Sequence, residues 1–311
     1  MTPEAFFTAS RLLVVAGKGG VGKTTTAAAV ARAAAQVGLT VDLIALEATP
    51  GLPTLFESGP LVYEPIELYA HRSGGSVRGR LVASDDALVE WLQDKGFARV
   101  AKRLRKSGAL EVISSATPGV KDLLILAKIK QLEREGDADL LVVDAPAAGH
   151  AITFLQSPAS LAETATAGPI RVQAEDVLAM LNDAARSRIL LVALPEETPV
   201  NEMIETAFTL EDRVGVHLAP VVVNGLYPPL ALDGDRPRVS GQLATDLDIA
   251  IELRRHRARN QAAQVERLAR ELPLPHLELP FLFTTEVGPR QIDELAQHLV
   301  KSIEQLPEAN S

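Results

Sequence analysis

Residues 11–24 read RLLVVAGKGGVGKT, and this stretch decides how the rest of the chain is interpreted. The apolar run Arg11–Ala16 stops at Gly17, which is typical of a short strand buried on both faces of a sheet. The Ala-rich stretch Thr24–Val37 follows and predicts a helix. Between them, Gly17–Thr24 matches the pattern G-x-x-x-x-G-K-[ST]. This motif between a strand and a helix indicates a phosphate-binding loop, the P-loop.

The P-loop would bind phosphate through its backbone and two side chains. Glycines let backbone N–H groups close around phosphate oxygens, and the N-terminus of the helix adds a favourable partial charge. In such loops the lysine, here Lys23, contacts the β- and γ-phosphates, and the next hydroxyl, here Thr24, binds Mg²⁺. An ordinary glycine-rich turn is the alternative, and the complete motif in its strand–helix context argues against it. The predicted nucleotide-binding residues of the loop are Gly19, Gly20, Val21, Gly22, Lys23, Thr24 and Thr25.

Apolar, strand-like runs alternate with helical stretches along the whole chain. Further strands are predicted at 40–46, 61–70, 139–144, 188–194, 217–224 and 276–279, and helices at 84–91, 97–105, 120–135, from 198 onward, 241–271 and 291–306. This alternation predicts an α/β fold with a doubly wound, mostly parallel sheet that is covered on both faces. We expect a single P-loop domain over residues 1–311, with a helical cap subregion at about 84–135.

A carboxylate stands at the end of the strand predicted at 139–144. Asp144 directly follows the apolar run Leu140–Val143. A carboxylate at the tip of a buried strand can hold the hydration shell of Mg²⁺, as a Walker B aspartate does. The predicted metal-site residues are therefore Thr24 and Asp144.

Two other loops are candidates for contact with a nucleotide base. Asn224 ends the apolar run Val221–Val223, and its amide offers both a donor and an acceptor, which suits the edge of adenine. Pro280 and Phe281 follow the last predicted strand and are candidates for contact with the ring. An ordinary core-and-turn interpretation fits these two residues equally well.

The composition excludes several kinds of chemistry. The chain has 31 Lys and Arg against 40 Asp and Glu, and this net charge of −9 disfavours a nucleic-acid partner, because such binders neutralise phosphates. It contains no Cys, which excludes disulfides, thiolate metal sites and Cys nucleophiles. No apolar run reaches the ~20 residues of a membrane span. The N-terminus also lacks a basic leader region, so we expect a cytoplasmic protein without an integral membrane segment.

Two motifs carry a resemblance to a known family. The P-loop reads Lys-Gly-Gly-Val-Gly-Lys-Thr-Thr, and the early Lys18 makes it the deviant Walker A pattern. Asp144–His150 reads DAPAAGH, which is similar to the Asp-Thr-Ala-Pro-Thr-Gly-His switch of the ATPases that drive arsenical pumps or target tail-anchored proteins. His150 fits a switch residue and a solvent-facing helix residue equally well. The stretches most similar to a small actinobacterial branch of that family are 47–56, 115–129, 167–174 and 194–202.

The resemblance implies that the protein binds ATP and Mg²⁺ and that two subunits face each other across two nucleotides. Lys18 would reach the nucleotide of the partner, Gly149 would donate its backbone N–H to the γ-phosphate, and Asn224 would read the adenine. Glu47 stands where the family has an aspartate that orients the attacking water. Because its side chain is longer, slow or partner-dependent hydrolysis is expected; a mere strand cap is the alternative for Glu47. The predicted catalytic residues are Lys18, Lys23, Glu47 and Asp144.

Departures from the family limit what the resemblance implies. Without Cys, the chain cannot form the thiolate arsenite site or the Cys-x-x-Cys zinc clamp of family members, so neither role is inherited. The leading hypothesis is a Mg²⁺-dependent ATPase that works as a homodimer, or as a heterodimer with a paralogue, on an unknown client protein. Two alternatives stay open: a weakly hydrolysing regulatory subunit, and a partition- or septum-type positioning ATPase. Peripheral membrane contact also stays open.

Overall fold

Strand β1 (Leu12–Gly17), which leads into the P-loop, lies inside an eight-stranded sheet. The computed structural model describes residues 1–46, 48, 51–94, 96–97, 99, 101–103, 119–230 and 239–307. The other strands are β2 (Thr40–Ala45), β3 (Ile66–Ala70), β4 (Ser76–Leu81), β5 (Leu140–Ala147), β6 (Ser187–Ala193), β7 (Val221–Leu226) and β8 (His276–Pro280). Their order is β3-β4-β2-β5-β1-β6-β7-β8, and neighbours run parallel except for the antiparallel pair β3 and β4. The predicted α/β fold with a mostly parallel sheet is confirmed.

Helices cover both faces of this sheet. They are α1 (Pro3–Phe7), α2 (Lys23–Gln36), α3 (Gly51–Phe56), α4 (Ser84–Asp94), α5 (Val120–Glu135), α6 (Ala148–Thr164), α7 (Pro169–Leu181), α8 (Glu197–Val214), α9 (Gln242–Glu271) and α10 (Pro289–Glu304). Residues of α5 to α9 pack on one face, and residues of α1, α2, α3 and α10 pack on the other. Of the described helices, none has both the length and the apolar character needed to cross a membrane.

The side chains of β1 alternate between the two cores. Leu12 and Val14 belong to the core beneath α5 to α9, whereas Leu13 and Val15 belong to the core beneath α2 and α10. All four are at most 3% exposed. Successive side chains of a strand point to opposite faces, so a strand covered on both faces must be apolar throughout. This explains why the apolar run before the P-loop predicted a buried strand.

The predicted cap subregion contributes α4 and α5. Leu88 of α4 packs with Leu124 of α5 in a small separate cluster. Leu126 and Ile129, also on α5, are buried in the main core. Helix α5 therefore contacts both α4 and the main core. The helix predicted at 97–105 is described only in part, and the cap and the single domain remain predictions.

Several elements differ from the sequence-based expectations. The sequence did not predict strand β4 or helices α1, α3, α6 and α7, and β3 begins at Ile66 instead of residue 61. Helix α8 begins at Glu197 with Glu196 as its N-cap residue, two residues before the expected cap at Thr198. The apolar-run criterion does not predict β4, because Arg78 and Arg80 leave it only two large apolar residues.

The arginines of β4 are compensated by a buried carboxylate on β2. Asp42 is 2% exposed. Arg78 donates to its Oδ1 from Nε at 2.7 Å, and Arg80 lies 3.4 Å from its Oδ2. Because β2 and β4 are parallel neighbours with Asp42 opposite Arg78, the strand pairing itself brings these charges together.

Replacing Asp42 with Asn keeps the shape of the side chain and removes its charge. We expect the free energy of unfolding to fall by about 2–4 kcal/mol, because breaking a largely buried ion pair leaves a charge uncompensated. Urea unfolding measures this change. Asp137→Asn is the matched control: Asp137 pairs with the same Arg78 at 3.3 Å but its side chain is 88% exposed, so little change is expected. An equal loss of unfolding free energy in the two variants would contradict the proposal that the buried carboxylate stabilises β4 more than the exposed one does.

Candidate functional site

The P-loop makes a tight turn that requires glycine at one position. Gly22 has a φ of +91°, in the left-handed region that glycine adopts without strain. A Cβ there would lie 2.3 Å from Asn224 Nδ2, which is closer than real atoms approach. At Gly19 and Gly20 an added Cβ would meet nothing within 4 Å. These two residues therefore border the open space in which phosphate is predicted to bind.

Two neighbouring strands hold the loop in place. In the second half of β7, which continues to Leu226, Asn224 donates from Nδ2 to the carbonyl oxygen of Val21 at 2.9 Å. At the end of β6, a Cβ on Gly17 would lie 2.4 Å from the carbonyl oxygen of Val192. The Val21 side chain is buried. The loop is thus packed against both strands before any ligand binds.

The two predicted metal-site residues meet at the start of α2. Strand β5 runs parallel to β1 with Asp144 opposite Val15, which places the carboxylate beside the P-loop. Thr24 Oγ1 donates to Asp144 Oδ2 at 2.7 Å. A hydroxyl and a carboxylate therefore lie side by side, and both are oxygen donors of the kind that Mg²⁺ prefers.

Both lysines of the loop contact acceptors of the protein. Lys23 Nζ donates to the carbonyl oxygen of Lys18 at 3.1 Å. Lys18 Nζ forms an ion pair and hydrogen bond with Glu202 Oε1 on α8. Sequence reasoning assigned no role to Glu202. No local signal reveals it, because the two partners are 184 residues apart in the chain.

The predicted switch lies where β5 passes directly into α6. The strand ends at Ala147 and the helix begins at Ala148. Gly149 is therefore among the first residues of α6, whose backbone N–H groups have no partner within the helix. His150 is exposed and lies close enough to Asp122 for their charges to interact. Burial raises the pKa of Asp122, and the His150 charge opposes this rise.

The candidate base contacts lie at the tips of β7 and β8. Pro280 ends β8, and the Phe281 ring packs edge-on against Tyr227 at 5.0 Å and against Phe283 at 4.9 Å between ring centroids. Phe281 is 41% exposed. Together with Gly225 and Tyr227 it borders a cavity of about 560 Å³. The structure therefore places an exposed aromatic ring near the tip of β7, and its contact with a base remains a prediction.

The structure brings most of the predicted site residues to one edge of the sheet. The residues that meet at or beside the P-loop are Lys18, Gly19, Gly20, Val21, Gly22, Lys23, Thr24, Asp144 and Asn224. Thr25 is on α2 directly after them. Glu47 lies outside the described residues, and so do residues 115–118 of the stretch 115–129. The roles of all these residues remain predictions.

Known proteins match this chain over most of its length. A family model described as anion-transporting ATPase matches residues 10–167. ATPase BagA of Mycobacterium tuberculosis is 32% identical over 297 aligned positions, which cover 87% of each chain. The chain belongs to the anion-transporting ATPase family. It is accordingly an ATPase, and the expected likeness to a small actinobacterial branch is confirmed by this mycobacterial relative.

More distant relatives carry other names. The arsenical pump-driving ATPase of Escherichia coli is 24% identical over 286 positions, covering 92% of this chain and 44% of that protein. ATPase GET3 of Ajellomyces dermatitidis is 24% identical over 212 positions, covering 66% of this chain and 58% of its own. These likenesses support the anion-transporting ATPase family and the nucleotide binding that its activity requires.

Replacing Asn224 with Ala separates two roles of this side chain. The 2.9 Å bond to Val21 indicates that Asn224 supports the P-loop, so its loss should weaken binding of any polyphosphate. We expect calorimetry to show about three- to tenfold weaker binding of ATP, the value of one hydrogen bond. The affinity for inorganic tripolyphosphate, which has no base, should fall by the same factor.

Phe281→Leu is the contrasting variant for this measurement. Phe281 is predicted to contact only the nucleotide base, so this variant should weaken binding of ATP without changing binding of tripolyphosphate. A loss confined to ATP in Asn224→Ala would show that this amide serves the base alone.

Proposed function

We propose that this ATPase binds ATP together with Mg²⁺ at the P-loop and hydrolyses it as a nucleotide-gated dimer that acts on a client protein. The observation that carries the proposal is the 2.7 Å hydrogen bond between Thr24 and Asp144. The P-loop hydroxyl and the carboxylate on β5 are the two protein groups that a P-loop ATPase uses around its metal. We also propose that residues 1–311 act as one domain.

The donors at this point suit Mg²⁺. The ion is usually held by one or two carboxylates, waters and substrate phosphates, and seldom by a cage of protein ligands. Among the described residues there is no group of three or more His, Cys, Asp or Glu that could form such a cage. Thr24 and Asp144 would hold the ion, which when bound neutralises charge on the β- and γ-phosphate oxygens.

The other predicted site residues would bind the phosphates or take part in hydrolysis. Lys23 and the backbone N–H groups of the P-loop would hold the β- and γ-phosphates, and Gly149 would donate its N–H at the start of α6. Glu47 would orient the attacking water. Lys18 would contact the nucleotide of the partner subunit, which is either a second copy or a paralogue. ATP binding would thereby be coupled to closure of the dimer.

Thr24→Ala tests the metal site. We expect ATP binding without Mg²⁺ to be retained, and the Mg²⁺ concentration for half-maximal hydrolysis to rise about 10- to 100-fold, the usual effect of losing a group that supports a metal. Steady-state hydrolysis over a Mg²⁺ series measures this rise. Thr24→Ser is the control, because it keeps the hydroxyl and should keep the wild-type response.

An unchanged Mg²⁺ response in Thr24→Ala would contradict the proposed site. Background hydrolysis by the wild-type protein despite tight ATP binding would instead favour the regulatory subunit that pairs with a paralogue.

Lys18→Ala tests the dimer. A monomer should bind ATP nearly as well without this side chain, because Lys23 and the loop backbone remain. We expect the variant to lose both ATP-dependent dimerisation and turnover, measured by light scattering and by phosphate release. Lys301→Ala, which removes an exposed lysine on α10, is the control. Normal ATP-dependent dimerisation of Lys18→Ala would make Lys18 an ordinary loop residue.

A further inference from the structure

The lysine that is proposed to reach the nucleotide of the partner subunit, Lys18, is paired with a carboxylate of its own chain. Lys18 lies at the start of the P-loop, and its Nζ is paired with the carboxylate of Glu202 on α8. The Lys18 side chain is 51% exposed, whereas that of Glu202 is 26% exposed. The lysine is thus the more solvent-exposed member of the pair, and the glutamate is the more enclosed one.

Packing fixes the position of Glu202. The next residue, Met203, is buried together with Val200 and Ala207 on the face of α8 that covers the sheet. Pro199, Glu202 and Met203 enclose, with Lys18, a cavity of only about 10 Å³. Such a space holds at most one water. The packing of α8 on the sheet therefore holds Glu202 beside the P-loop.

The Glu202 carboxylate has one oxygen paired with Lys18 and one buried oxygen. Its Oε2 atom is buried and has no hydrogen-bond partner in the part of the chain that the structure describes. A buried acceptor without a partner is unfavourable, and a carboxylate in this position needs a nearby cation. The ion pair with Lys18 supplies that cation, which gives the pair a preference for remaining closed.

We propose that Glu202 is a positioning residue that holds Lys18 in the monomer and releases it when an ATP-bound partner arrives. This inference rests on the proposed function, in which Lys18 acts across the dimer. The ammonium group would exchange one carboxylate for phosphate oxygens that carry more negative charge and accept stronger, charge-assisted hydrogen bonds. Closure of the dimer therefore has to overcome the Lys18–Glu202 pair, so the pair sets the protein concentration at which ATP causes dimerisation.

The size of the effect follows from the exposure of the pair. A partly exposed ion pair contributes about a two- to fivefold preference for the paired state. Because each dimer would release two pairs, removing them should lower the dimer dissociation constant by the square of this factor, about four- to 25-fold.

Glu202→Gln tests this proposal, because it keeps the shape of the side chain and removes its charge. Light scattering over a protein concentration series, with Mg²⁺ and a non-hydrolysable ATP analogue, should show the four- to 25-fold tighter dimer. Glu205→Gln is the matched control, since it removes the same charge from an exposed position one turn along α8. Glu202→Ala should act in the same direction as Glu202→Gln, and thermal unfolding without nucleotide confirms that each variant is folded.

A second comparison shows whether Glu202 acts through Lys18. In a Lys18→Ala background, Glu202→Gln should restore no dimerisation. Restoration there would overturn the proposal, because Glu202 would then oppose the partner by another route. An unchanged or weaker dimer in Glu202→Gln, while the wild-type protein dimerises normally, would overturn the holding role and leave the proposed dimer intact. If wild type and Glu202→Gln both bind the analogue and both remain monomers, the proposed dimer fails and the holding role fails with it.

Discussion

The site depends on the close approach of the P-loop backbone to the tips of two strands. A Cβ at Gly17 would lie 2.4 Å from a carbonyl oxygen of β6, and a Cβ at Gly22 would lie 2.3 Å from Asn224 on β7. Only glycine fits at these two points. The loop takes its shape from the sheet beneath it, and Asn224 adds a hydrogen bond to Val21 that fastens the loop to β7. A pre-shaped phosphate cradle needs little reorganisation when a ligand binds.

Parallel pairing of the strands collects the other functional groups around this cradle. Asp144 lies beside Thr24 because β5 runs parallel to β1 with Asp144 opposite Val15. In open parallel sheets, ligands bind at the carboxyl ends of the strands, where loops and helix N-termini meet. Gly149 reaches the same edge because α6 follows β5 without an intervening loop. Residues far apart in the chain thus converge on one end of the sheet.

Both P-loop lysines contact protein acceptors that a triphosphate could replace. Lys23 donates to the backbone of the loop, and Lys18 pairs with Glu202 on α8. These contacts stabilise positive charge close to the expected phosphate position without a ligand. In the proposed scheme, ATP binding would replace the acceptor of Lys23, and closure of the dimer would replace that of Lys18 on α8.

The amino-acid sequence by itself determined the P-loop and the buried parallel strands, and it placed Asp144 and Asn224 directly after apolar runs. These features are local: an apolar run, a glycine pattern and a polar residue directly after it report backbone conformation and burial within a few residues. The structure continues both strands beyond these residues, to Ala147 and Leu226. Only the tertiary structure decided the placement of β4, whose Arg78 depends on the buried Asp42, 36 residues away. It also decided the partner of Lys18, because Glu202 is 184 residues further along the chain and reaches the P-loop only through the packing of α8. Charge pairs between distant segments leave no periodic trace in a sequence, since their energy depends on which helices and strands become neighbours when the chain folds.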